Sequence, residues 1–110
     1  MTEHNKLVRD RIPAKIDAGG REVAIIRTLD PSELRKYLRE KLREESNKAY
    51  NAVEPFQLLV ELVDIQDVID ATLKAWNFDR ATFDAERKGK NEECGGFERR
   101  VLLIRTEARP

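Results

Sequence analysis

The chain has 110 residues and a mass of 12.8 kDa, enough for one domain spanning 1–110 and too little for two cores. Charged residues at 38% and hydrophobic ones at 40% exclude both a disordered chain and a membrane protein, and point to a helix-rich globule. Lys plus Arg (21) equals Asp plus Glu (21), so the whole surface offers no electrostatic case for a nucleic-acid polymer as partner. A single cysteine, Cys94, excludes an internal disulfide framework, and a single histidine, His4, argues against His-based triads and His-ligated metals. The N-terminus has no apolar core of a signal peptide, and no apolar run is long enough to span a bilayer. The expected location is the reducing cytoplasm, and any chemistry falls to carboxylates, Lys and Arg.

In chain order, Arg11 to Ala18 reads as a short helix, with Pro13 in its first turn and Gly19-Gly20 at its end. Glu22 to Leu29 is β-branched and bounded by turn residues, which predicts a strand. Asp30-Pro31-Ser32-Glu33 opens a long helix, Asp30 as N-cap and Glu33 in the capping-box position, running to about Val53. A second long helix runs from about Pro55 to Trp76. Asp79 is the expected cap of a third, Arg80 to about Glu93, which Gly95-Gly96 ends. Arg100 to Thr106 reads as a second strand. The expected fold is mainly α, with the two strands pairing as a small β-ribbon contributed by the N- and C-terminal parts.

The two long helices carry the most informative pattern when drawn at about 100° per residue. In the first, Leu34, Leu38, Leu42, Ala49 and Ala52 form the apolar stripe, and Glu45 falls in its centre with Glu44 and Lys48 at one margin. In the second, Leu58, Leu62, Ile65, Ile69, Leu73 and Trp76 form one stripe. Val60, Val68, Ala71 and Ala75 form another, into which Glu61 and Asp64 point, while Asp67 and Asp70 fall on a solvated sector. Carboxylates aimed between packed helices cost several kcal/mol each unless paired or ligated. Internal ion pairs with Lys41, Lys48 or an Arg would satisfy one such group. Three on adjacent helices, without His or Cys, favour a hard cation such as Mg²⁺ held together with substrate phosphates. The helical faces are also too apolar for one chain of this length to cover, which predicts a homodimer or higher homo-oligomer.

Four segments occur in a diagnostic order: Lys6-Leu7-Val8-Arg9-Asp10-Arg11-Ile12-Pro13, then Lys41-Leu42-Arg43-Glu44-Glu45, then Glu61 to Ala71, then Glu93-Cys94-Gly95-Gly96-Phe97. This set resembles the MazG-like all-α nucleoside triphosphate pyrophosphohydrolases, in particular the small house-cleaning, phosphoribosyl-ATP pyrophosphohydrolase-like branch. The resemblance implies a MazG-like helical bundle, Mg²⁺ (or Mn²⁺) as cofactor, and a nucleoside triphosphate as substrate. It also implies cleavage between the α- and β-phosphates to a nucleoside monophosphate and pyrophosphate, with noncanonical nucleotides as candidate substrates. It matches Glu44 and Glu45 to the first two positions of the family's EExxE and Glu61 and Asp64 to its ExxD. Glu45, Glu61 and Asp64 are then the expected metal ligands, and Glu44 either the general base or a group that supports the ligands from behind.

Arg9, Asp10 and Arg11 gain a pocket role by the same resemblance, beside a plain surface ion-pair network. Lys88, Lys90 and Asn91 are candidate phosphate ligands late in the third helix. Lys48 stands where the family has the third glutamate, and Cys94 where the branch has Arg before Gly-Gly-Phe. Lys48 is thus either the mark of a lost ligand, and of a non-catalytic nucleotide-binding module, or a phosphate contact in its own right. Trp76 and Phe78 are assigned to packing and Cys94 to an ordinary thiol.

Overall fold

The computed structural model describes all residues, Met1–Pro110, and contains four helices. These are α1 (Ile12–Ala18), α2 (Pro31–Asn51), α3 (Pro55–Ala75) and α4 (Arg80–Cys94). The chain divides into two compact units, Met1–Phe78 and Asp79–Pro110. No helix is long and apolar enough to cross a membrane.

In the first unit α2 begins at a complete capping box. Asp30 Oδ1 accepts from the Glu33 N–H at 2.8 Å, and Glu33 Oε1 accepts from the Asp30 N–H at 3.3 Å. Pro31 occupies a first-turn position that needs no donor. Arg27 forks onto Glu33 at 3.0 and 2.6 Å, so the start of α2 is tied to the segment before it. That guanidinium, followed by the Asp30 N–H, holds the Glu33 carboxyl down at about 2. The short link Ala52–Glu54 turns the chain into α3, which packs against α2. Leu38 on α2 and Val68 and Leu73 on α3 are the buried apolar side chains of this pair. Beyond α3, Asn77 turns the backbone at φ 55° and Phe78 N–H donates back to the Leu73 carbonyl. This stacks the Trp76 and Phe78 rings at 6.5 Å, with Trp76 half-buried and Phe78 exposed.

The expected β-ribbon is not formed: neither 22–29 nor 100–106 belongs to a ladder. Both segments leave most of their apolar side chains exposed, among them Ile25, Ile26, Val101 and Ile104. A strand is stable only through cross-strand bonds and a buried face. In the first segment the backbone is engaged elsewhere: the Ala24 N–H donates to Asp17 Oδ1 at 2.8 Å, and Arg27 is drawn to Glu33.

In the second unit α4 has no buried residue. Asp79 stands at its N-cap without capping a backbone N–H, because its Oδ2 accepts from the Thr82 hydroxyl at 3.3 Å instead. Gly95, at φ 80°, ends the helix in a conformation that a side chain would strain. Cys94 is exposed and its thiol free.

Candidate metal centre

The helical register that buries Leu38 also carries Glu45, two turns further on, into the α2–α3 interface. Glu45 is the most deeply buried polar residue, 2% exposed. From α3, Glu61 and Asp64 approach at the i, i+3 spacing and are half-buried. One carboxylate oxygen from each of Glu45, Glu61 and Asp64 lies within 4.8 Å of the others. The expectation that these carboxylates point inward is therefore what the structure shows.

The cluster is under electrostatic stress. Oε2 of Glu45 and Oε2 of Glu61 are enclosed and have no hydrogen-bond partner. Burial, and after it the nearness of the Glu45 carboxylate, pushes the Glu61 carboxyl up, against the pull of Lys48. Buried acceptors without donors are rare in stable proteins and mark a place for a ligand or an ion. Oxygens sharing one hard cation at 2.0–2.6 Å stand roughly 3–5 Å from one another, so the donor set and its spread fit a divalent ion such as Mg²⁺.

Four cations surround the acids. Lys41 Nζ lies 3.4 Å from Glu44 and 3.3 Å from Glu45. Lys48 Nζ lies 3.7 and 3.6 Å from the same two residues. Lys6, from the segment before α1, reaches Glu44 at 3.3 Å. Arg9, from the same segment, spans Asp64 at 2.7 Å and Asp67 at 2.8 Å. Burial pushes the Glu44 carboxyl up, but Lys6 and Lys41 outweigh it and hold the group below its ordinary value. Burial likewise pulls Lys48 down, and Glu45, Glu44 and Glu61 more than reverse this, leaving its ammonium firmly charged.

Of the other residues singled out, Asp10 and Arg11 are exposed at the start of α1 and make no side-chain bond to the cluster. Lys88, Lys90 and Asn91 are exposed on α4, in the second unit. Two participants escape a reading of the sequence by periodicity. Lys6 lies outside any helix, and Asp67 sits on a sector that the helical drawing assigns to solvent. Asp67 is only about 60° from Asp64 around α3, which is the signal that could have found it. Arg35, Lys36, Arg39 and Arg43 line an open groove with Glu40 and Trp76. The chain matches no protein-family model, no curated protein and no solved structure.

Proposed function

We propose that the chain is a divalent-cation-dependent nucleotide pyrophosphohydrolase of the MazG-like kind, releasing pyrophosphate and a nucleoside monophosphate from a nucleoside triphosphate. The observation that carries this reading is the trio Glu45, Glu61 and Asp64, with its two enclosed, partnerless carboxylate oxygens. Bound Mg²⁺, or Mn²⁺ in its place, would neutralise phosphate charge and lower the pKa of the attacking water. Glu45, Glu61 and Asp64 would hold the ion. Glu44, held ionised by its lysines, is the group able to take a proton from water at neutral pH. Arg9 and Lys48 carry the charge to meet phosphate oxygens. The exposed apolar run of Phe56, Leu58, Leu59, Leu62 and Val63 on α3 supports a second copy of the chain as partner, and the lone thiol a reducing, cytoplasmic setting.

A second reading, a binding module without turnover, is favoured by Lys48, which stands one turn from Glu45 and compensates it at 3.6 Å. One experiment separates the two. The protein is incubated with canonical and modified nucleoside triphosphates and Mg²⁺ or Mn²⁺, and pyrophosphate is measured beside nucleotide binding. Metal-dependent pyrophosphate release supports the enzyme; saturable binding with no release supports the module. Neither binding nor release removes both.

A further inference from the structure

The cations around the acidic cluster are of two kinds. Lys41 and Lys48 belong to α2 itself, within four residues of the carboxylates they pair, and the helix fixes their reach. Lys6 and Arg9 come from a non-helical segment 38 and 55 residues away in sequence from Glu44 and Asp64. Their side chains are 43% and 53% exposed, close to the 46% of Lys48, whereas that of Lys41 is 16% exposed. Arg9 also holds a carboxylate outside the trio: Nη2 is on Asp64 and Nη1 on Asp67.

The charges give this arrangement its meaning. Glu44, Glu45, Glu61 and Asp64 would repel one another severely if left alone in a half-buried site, and the four cations bring them near neutrality. A divalent ion entering the trio adds two positive charges, and the Lys6–Arg9 segment carries two. We infer that Lys6 and Arg9 are resident counter-ions of the carboxylate cluster, which a divalent cation displaces in a one-for-two exchange of charge. The inference rests on the metal-binding reading proposed above. The segment acts as a strap: docked, it offsets the charge of the carboxylates; released, it lets them take the ion. Asp67 makes the release of Arg9 a pivot, since Nη1 keeps its partner while Nη2 leaves Asp64. The guanidinium freed on one side then stands at the rim of the cluster, where an anionic phosphate group would arrive.

The test uses Mn²⁺ alone, with no nucleotide, on the full chain at low salt. Binding is followed by the loss of the free-ion electron-spin-resonance signal in wild type, in the double variant Lys6→Gln/Arg9→Gln and in Arg27→Gln. The last removes an exposed, ion-paired arginine remote from the cluster and so measures the effect of losing any positive charge. Helical circular dichroism checks that each variant is folded. The double variant is expected to bind Mn²⁺ at least ten-fold more tightly than wild type, and Arg27→Gln less than two-fold. In wild type, saturating Mn²⁺ should also speed tryptic cleavage after Lys6, because its side chain leaves Glu44 and becomes free to enter the protease. Equal or weaker binding in the double variant overturns the inference, weaker binding meaning that the cations orient the ligands. Unchanged cleavage on saturation overturns it as well. Wild-type Mn²⁺ binding with either of these outcomes leaves the metal reading standing, whereas no binding in any of the three proteins removes both.

Discussion

The α2–α3 pair has two ends that obey the same helical geometry and do opposite things. Towards the start of α2 and the end of α3, Leu38, Val68 and Leu73 close over one another and exclude polar groups. Towards the link between the helices, the same inward positions hold Glu45, Glu61 and Asp64. One end lowers the free energy by removing apolar surface from water; the other raises it by burying like charges, and relies on lysines and Arg9 to limit the cost. Tolerating that cost in so small an interface is the physical sign of a site.

The contrast is broken most completely at the acidic end. Glu61→Ala and Asp64→Ala should each bring Mg²⁺-dependent pyrophosphate release to background while the helical content is kept, and full activity in either variant would remove the assignment. At the apolar end Leu38→Ala should cost about 2–5 kcal/mol of stability, read from urea unfolding, because it empties a position that is 3% exposed. An effect on metal affinity as large as on stability would show that the ends are not separable.

Lys48 sharpens the comparison at the margin of the cluster. Lys48→Glu removes an ammonium 3.6 Å from Glu45 and adds a carboxylate on the same turn. It should raise Mg²⁺ affinity about ten-fold, near 1.4 kcal/mol, as titration would show. Unchanged metal affinity with weakened binding of a non-hydrolysable nucleotide would instead make Lys48 a phosphate contact.

The smallest effects belong to the start of α2, on the apolar side. Asp30→Ala should cost about 1 kcal/mol through the lost cap. The Glu33 carboxyl is held at about 2 by Arg27 and the Asp30 N–H, below the ordinary 4.5. Its contribution is therefore fully present above pH 4.5 and lost as pH falls through about 2. Acid titration of thermal stability should show this step in wild type and a smaller one in Glu33→Gln.

Helices, their ends and the inward carboxylates were legible because each depends on neighbours within a turn or two. Asp30 with Glu33, Pro55 after the link, Gly95 after α4 and the placing of Glu45 among leucines are all local patterns. What depended on distant parts of the chain was not legible. The β-branched run 22–29 has strand propensity, but propensity supplies no partner, and the Ala24 N–H went to Asp17. Asp79 looked like a cap until Thr82 engaged it. Asp67 looked solvated because nothing in α3 reveals that Arg9 would reach it across 58 residues of chain.

The unequal exposure of the ion pairs makes the cluster responsive to ionic strength. At physiological salt, charges in contact with solvent are screened over about 8 Å, whereas enclosed pairs are screened much less. Lys41 with Glu45, at 16% and 3% side-chain exposure, stays coupled in any ordinary buffer. The pairs of Lys6 and Arg9 are open to solvent and weaken as salt rises. Added electrolyte therefore acts selectively: it loosens the outer cations while the inner one holds, and the field met by an arriving ion is set by the medium as well as by the fold.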